Sequence, residues 1–542
     1  MTGPGSLKPT VEVTSGRLRG LSYRAGRSQG AVRAFHGIPY GADPVGPMRF
    51  RAPQPPAPWG GIRDASTFGP SALQSRTSPF SGTIPGNHVA AKSERCLTLD
   101  VWAPEEPGDL PVLVWVAGGA YLTGGTSIET YDGSGMAADE GVVVVSVNYR
   151  LGVLGFGWFG ELGGSESGDG SAWPGDTNCG LRDQLAALDW VKDNIASFGG
   201  DPANVTVFGE SAGAGSLAHL LTSPALGGSA RRCILQSPGI DHTLYPEDVE
   251  RVADAMLRRL SIPRSELTRL WEVSGVDLVA AQEAVVLEML PVLTSMPFHP
   301  FVDGDLVPAS PSTAMADGSG AEVDLLVSWT TDEMRLYPNP AADAAEPDVL
   351  VAWAQRYLAR RLGSDPGPER ARQLVDFYRD LLGSQGRTNG SDLWAAVQTD
   401  GVMRLPARRV ADSHASNGGR TYVAQFGWSG PPAPGQWDPR AFHAIDLPFT
   451  FDTLDRSGWR DYLRAGPDAS ELARQHVHAW SSFSRDGAPE IAEVDGWAPY
   501  TVPDRQTMLL DTPCALAPDP LADIAAAWDG LWSPDCRAPF MG

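Results

Sequence analysis

The run Gly209-Glu210-Ser211-Ala212-Gly213 is the segment best equipped for chemistry. A serine hydroxyl becomes a nucleophile when a base takes its proton. This serine follows the apolar run Val205-Thr206-Val207-Phe208 and precedes a helix-like stretch at residues 214–221. A strand, a sharp turn with Ser at its tip and then a helix is the layout of a nucleophile elbow. Glycines two places to either side let such a turn close without side-chain clashes. The N-terminus of the following helix aims N–H groups at the same point, where developing negative charge needs them. The same five-residue pattern recurs at Gly26-Arg27-Ser28-Gln29-Gly30. There it follows Tyr23-Arg24-Ala25 and precedes an alternating run at residues 31–35, so a hairpin turn is expected.

Ser211 needs a base and an acid to orient it. In elbow hydrolases these follow in the order Ser, acid, His. Of the nine histidines, His414, His443, His476 and His478 lie far enough downstream. His414 falls in a polar run, residues 413–419, that reads as exposed loop. His476 and His478 lie two apart on an expected helix and do not share a face. His443 sits in an apolar, turn-rich segment, which suits either a catalytic or a core histidine. For the acid, Leu325-Leu326-Val327 reads as a strand, and both Asp332 and Glu333 lie just past it. The C-terminal end of a sheet strand is where α/β folds place functional groups.

The elements that must hold these residues are legible in outline. Residues 111–116 and 142–147 are nearly unbroken apolar runs, as central strands buried on both faces are. A brief helix is expected at 134–140, and a longer one at 182–198 has apolar residues at helical spacing. A strand follows at 231–236, and a late one at 421–428. Residues 246–290, 348–382 and 469–483 read as helix. The opening third reads as short strands and turns, including alternating stretches at 11–21 and 31–35. Strands alternating with helices argue for an α/β sheet covered on both faces.

Composition narrows the function classes. The 542 residues carry a formal net charge of −23, which repels a phosphate backbone and argues against nucleic acid as a partner. No stretch of about 18 apolar residues occurs, so no membrane-spanning helix is expected. Five scattered cysteines lack metal-ligand spacing, so no metal site is expected. Reduced thiols and a cytoplasmic location fit this usage, and residues 1–10 show no secretory pattern. Cys514 and Cys536 remain candidates for a late disulfide. Residues 160–175 are loop-like, but no linker or repeat divides the chain, and one large domain is expected.

Many further segments share one pattern. They include Phe35-His36-Gly37-Ile38-Pro39-Tyr40, Met48-Arg49-Phe50, Glu94-Arg95-Cys96-Leu97, Asn148-Tyr149-Arg150-Leu151-Gly152, Gly180-Leu181-Arg182-Asp183-Gln184, Gln236-Ser237 and the run from Phe442 to Phe451. With them the chain resembles the type-B carboxylesterases, the group of bacterial para-nitrobenzyl esterases and cholinesterases. The resemblance implies an α/β-hydrolase fold, with a large, mostly parallel central sheet and helices on both faces. It implies a single catalytic domain over residues 1–542, with helix-rich, cap-like insertions at about 245–295 and 340–415. Ser211 becomes the nucleophile, Glu333 the acid and His443 the base, with Glu210 and Ser237 beside them. The oxyanion donors are the N–H groups of Gly119, Ala120 and Ala212. Here Ala117-Gly118-Gly119-Ala120 replaces the family's His-Gly-Gly-Gly, and alanine keeps its N–H. Tyr121, Trp329, Met334 and Phe298 are candidates for the pocket wall.

Architectural ion pairs are implied between Arg49 and Glu94 and between Arg150 and Asp183. Met334 stands where the family often has Gly, Ser328-Trp329 where it has Gly-Thr, and Arg95 where Asp is common. Ala72 occupies the place of a cysteine, so the family's early disulfide at Cys96 should be missing. The implied activity is hydrolysis of a small-molecule ester through an acyl-enzyme, with no metal or organic cofactor, by a monomer or small homo-oligomer. Acyl transfer or cyclisation in a biosynthetic pathway would use the same triad, and a catalytically silent binding module is the remaining reading.

Overall fold

The computed structural model describes residues 8–75, 88–89, 91–106, 108–160, 173, 175–290, 292–293, 296–430, 440–456 and 458–532. Its frame is an 11-stranded sheet. In chain order the strands are β1 (Leu21–Ala25), β2 (Gly30–Pro39), β3 (Thr98–Pro104), β4 (Leu110–Val116), β5 (Val143–Val147), β6 (Gly200–Glu210), β7 (Arg232–Gln236), β8 (Asp324–Thr330), β9 (Thr421–Phe426), β10 (Gln506–Leu510) and β11 (Ala515–Pro518). Their spatial order is β11-β10-β9-β8-β7-β6-β4-β5-β3-β2-β1. From β10 to β5 every pairing is parallel. Antiparallel strands close both edges.

The apolar runs explain why the sheet is central. Side chains alternate across a strand, and here both faces are buried. Val112, Val114, Val116, Val143, Val145, Leu325 and Val327 enter one core, while Leu113, Trp115, Val144, Phe208 and Leu326 enter the other. Helices complete both layers: α1 (Cys179–Asn194), α2 (Ala212–Leu221), α3 (Pro246–Leu260), α4 (Gly275–Met289), α5 (Pro347–Leu362), α6 (Pro368–Ser384), α7 (Gly390–Thr399), α8 (Leu405–Ser416) and α9 (Pro467–Asp486). A turn of π-helix, Asp400–Arg404, joins α7 to α8. Among the described residues no helix is long and apolar enough to cross a membrane.

Several expectations meet a definite outcome. The second glycine–serine pattern is the β1–β2 hairpin turn, with Ala25 paired to Gly30. Residues 11–21 divide into two paired strands of a small separate sheet, Thr10–Val13 and Gly16–Arg19, before β1 begins. His414 is not in an exposed loop: α8 runs through it and buries it. Its Nδ1 meets Thr421 Oγ1 at 2.8 Å and its Nε2 meets the Val323 carbonyl at 3.1 Å. Tertiary partners satisfy the polar run that local composition assigns to solvent. Arg49 grips Glu94 through two contacts of 2.7 Å. Arg150 grips Asp183 at 2.7 and 2.6 Å. Cys96 is buried as a free thiol, as Ala72 led us to expect. The Cys514–Cys536 pairing lies outside the described residues, because Cys536 does.

Candidate active site

Five adjacent strands, β9-β8-β7-β6-β4, bring the candidate residues to one edge of the sheet. Their C-terminal ends lead to His443, Glu333, Ser237, Ser211 and the glycine-rich turn after Val116, in that spatial order. This is the end at which parallel α/β sheets assemble ligand sites.

Ser211 is the cap between β6 and α2, with φ 56° and ψ −123°. That left-handed backbone is costly for a residue with a side chain, and tight surroundings hold it there. Its N–H donates to the Gln236 carbonyl at 3.0 Å, and its own carbonyl accepts from the Gly215 N–H at 2.8 Å. The helix start is pressed against the end of β4. A Cβ on Gly213 would lie 2.0 Å from the Val116 carbonyl oxygen, which no real side chain tolerates. The elbow and the glycine turn are also in close contact, since a Cβ on Gly118 would stand 2.6 Å from the Glu210 carbonyl oxygen.

His443 Nε2 lies 2.8 Å from Ser211 Oγ, and its Nδ1 lies 2.6 Å from Glu333 Oε2. The other carboxylate oxygen of Glu333 accepts from Ser237 Oγ and from the Thr330 N–H, both at 2.7 Å. The backbone joins in, as the His443 N–H donates to the Glu333 carbonyl at 3.0 Å. Asp332, the rival carboxylate, turns away and meets Arg387 at 2.8 Å. The sequence could not separate Asp332 from Glu333 by pattern; the geometry brings only Glu333 to the imidazole.

The turn after β4 carries three left-handed residues, Gly119, Ala120 and Tyr121, with φ 118°, 53° and 58°. Such a backbone is costly for Ala120 and Tyr121, which carry side chains. Ala212 opens α2, so its N–H has no partner within the helix. Several bonds pin the turn. Tyr149 Oη donates to the Ala117 carbonyl at 2.7 Å. Gln74 holds Gly124 from both sides, donating to its carbonyl at 2.7 Å and accepting from its N–H at 3.1 Å.

Two further acids surround the imidazole. Glu210 is buried, with Oε1 3.1 Å from His443 Nε2. Burial pushes its carboxyl pKa well above the usual range. Asp446 is pushed up to about 6, chiefly by burial, with Glu333 adding to the effect. Burial would lower the pKa of His443, but Glu210 and Glu333 overcome this and raise it above that of an ordinary imidazole.

The family model described as "Carboxylesterase family" matches residues 7–521. The chain belongs to the carboxylesterase family. It is 34% identical over 501 residues to the para-nitrobenzyl esterase of Bacillus subtilis (strain 168), covering 91% of this chain and 94% of that one. It is 32% identical over 520 residues to the phenmedipham hydrolase of Pseudarthrobacter oxydans, covering 93% and 95%. Among solved structures, the carboxylesterase of Geobacillus stearothermophilus at pH 6.2 superposes with a TM-score of 0.80 at 32% identity, over 96% of this chain and 99% of that one. These findings establish an α/β-hydrolase fold and carboxylesterase activity on small-molecule esters.

For this carboxylesterase the four candidate wall residues, Tyr121, Trp329, Met334 and Phe298, are all buried in the main core. Tyr121 packs on Phe156 and His299, with ring centroids 4.9 and 4.6 Å away. Trp329 donates its indole N–H to Gln425 Oε1 at 3.0 Å across the sheet. Sequence reasoning missed Asp446, whose Oδ2 accepts from Gln236 Nε2 at 2.7 Å. A lone acid in the apolar run Ala444-Ile445-Asp446-Leu447-Pro448-Phe449 was the available signal. It also missed Tyr337, a half-buried phenol within electrostatic reach of Glu210 and Glu333. Tyr149 lies in the motif Asn148–Gly152, but its place at the turn was not foreseen, and Gln74 carried no sequence signal, since only the fold brings them there.

Proposed function

We propose that the chain hydrolyses carboxylic esters through an acyl-enzyme, with Ser211 as nucleophile, His443 as base and Glu333 as the orienting acid. The observation that carries this reading is the pair of contacts at the imidazole, 2.8 Å to Ser211 Oγ and 2.6 Å to Glu333 Oε2. His443 Nε2 accepts the Ser211 proton while Oγ attacks the ester carbonyl. Glu333 holds Nδ1 protonated and stabilises the imidazolium that forms. The N–H groups of Gly119, Ala120 and Ala212 receive the oxyanion, each contributing about 2.7–4 kcal/mol at the transition state. The leaving alcohol takes the proton from Nε2. Water then repeats the sequence on the acyl-enzyme and frees the acid. One catalytic domain, with helical segments after β7 and β8, accounts for every group used.

An organophosphonate tests the reading. It should label Ser211 stoichiometrically, as peptide mass spectrometry would show. Ser211→Ala should lose the label and about 10⁶-fold in kcat on a para-nitrophenyl ester, the scale of a triad acting as a unit. Turnover within a hundredfold of the parent enzyme would sink the assignment.

A further inference from the structure

The acid turn is gripped by charges that the reaction does not consume. Asp332 and Arg335 flank Glu333, and both side chains run to the same place. Asp332 Oδ1 meets Arg387 at 2.8 Å, and Arg387 Nε reaches Asp392 Oδ2 at 3.4 Å. Asp392 in turn binds Arg335. The four side chains are between 6% and 10% exposed. Charges therefore alternate along a closed path: Asp332, Arg387, Asp392, Arg335, and back through the chain past Glu333. Arg404 lies within electrostatic reach of Asp332 and binds Asp400 at 2.6 Å. Asp400 accepts from Tyr378 Oη at 2.5 Å.

Helix α7 makes this grip rigid. Asp392 stands in its first turn, where Asn389 caps the helix by accepting from the Asp392 N–H at 2.6 Å. The helix macrodipole favours a carboxylate there. At the far end of the same helix, Thr399 Oγ1 accepts from the Met334 N–H at 3.0 Å. One ten-residue helix thus touches the residue after the acid by its C-terminal end, and the residue beyond by its first turn.

We infer that the Asp332–Arg387–Asp392–Arg335 quartet, anchored to α7 through Asp392, positions Glu333 for catalysis, with Arg387 as the positioning residue that ties both sides together. The inference rests on Glu333 being the acid, as proposed above. Buried ion pairs gain little stability over apolar side chains of the same volume, because desolvation offsets their attraction. What they supply is direction. A planar guanidinium with fixed N–H vectors sets the position of two carboxylates at once. The carboxylate of Glu333 must meet Nδ1 at hydrogen-bond distance, and a displacement of about 1 Å costs on the order of 100-fold in rate.

The test compares Arg387→Met, Arg387→Lys, Thr399→Val, Glu333→Gln and Ser211→Ala in the full chain, on para-nitrophenyl butyrate across pH. Arg387→Met should lower kcat by about 10- to 100-fold with KM within about twofold. Its acidic limb should move to lower pH, since a displaced Glu333 no longer favours the imidazolium; Glu210 and Asp446, which also face His443, remain. Arg387→Lys, which keeps the charge but not the planar fork that holds two carboxylates, should recover only part of the lost kcat. Thr399→Val, which alters no charge and decides the matter if Arg387→Met does not fold, should lower kcat severalfold with the same pH shift. The inference is overturned if these variants melt earlier yet keep kcat and pH profile, or if the lysine variant matches the parent enzyme, since charge without the fork would then suffice. The two controls separate the failures: activity surviving in Ser211→Ala or Glu333→Gln breaks the triad reading itself, whereas their loss beside unaffected quartet variants breaks only the positioning role.

Discussion

Replacing Glu333 by Gln exchanges one oxygen for an NH₂ group, and the surroundings dictate where that group must go. One oxygen of the carboxylate accepts from the Thr330 N–H and from Ser237 Oγ at 2.7 Å. The Thr330 N–H only donates, so the amide carbonyl has to face it. The NH₂ then points at His443 Nδ1, which lies 2.6 Å from the other oxygen. To accept from it, the imidazole must shed the proton at Nδ1 and carry it on Nε2. Nε2 faces Ser211 Oγ at 2.8 Å and can no longer take the serine proton. A wrong tautomer held by intact geometry costs about 10⁴ in kcat, or about 5.4 kcal/mol at 1.36 kcal/mol per tenfold. Asp332→Asn has no such effect, because Asp332 faces Arg387 and an amide oxygen still accepts there. Its loss should stay within about tenfold of the parent rate. Burst-titrated kcat values on one para-nitrophenyl ester decide the matter. A Glu333→Gln enzyme within tenfold of the parent, or an Asp332→Asn enzyme crippled to the same degree, would refute the reasoning.

Three other outcomes are expected. Glu210→Gln removes a carboxyl 3.1 Å from His443 Nε2 whose ionised form favours the imidazolium; to the extent that Glu210 is ionised, the raised pKa of His443 falls, and the acidic limb of kcat/KM moves to lower pH. A limb that moves upward contradicts this. Gly213→Ala forces a methyl to 2.0 Å from a backbone oxygen. The elbow should be displaced, with loss of soluble yield and of nearly all turnover in whatever folds; a normally active, normally stable variant would show that the turn gives way. Phe208→Ala empties a site between Trp115 and Phe451, whose rings lie 4.9 and 5.7 Å away, and should cost about 3–5 kcal/mol in denaturant unfolding. A change below about 1 kcal/mol would mean that the core collapses to fill the gap.

What could be read from sequence was whatever chemistry marks locally. The runs at β4 and β5 are apolar on both faces because both faces are buried, and their shortness and valine content mark them as strands. The elbow is visible because a strained turn needs small residues at fixed offsets. Pattern alone left Asp332 and Glu333 equal, since which carboxylate reaches the imidazole depends on the path of the turn, and that path is set by α7 from 60 residues away. His414 was misread because its partners, Thr421 and Val323, are supplied by other elements. Arg335, Arg387 and Asp392 look like ordinary surface charges in the sequence; only their mutual burial distinguishes them.

The contact between Ser211 and His443 spans 232 positions of chain, and the sheet that aligns them pairs strands up to 96 positions apart, as Leu325 with Thr421. A polypeptide still emerging from the ribosome holds its reactive hydroxyl long before its partner exists. Until the later strands dock, that serine is an ordinary alcohol. Chemical competence therefore arrives late and all at once, when long-range closure, the slow step for such topologies, has been accomplished. On the triad proposed above, half-made chains should leave the esters around them intact.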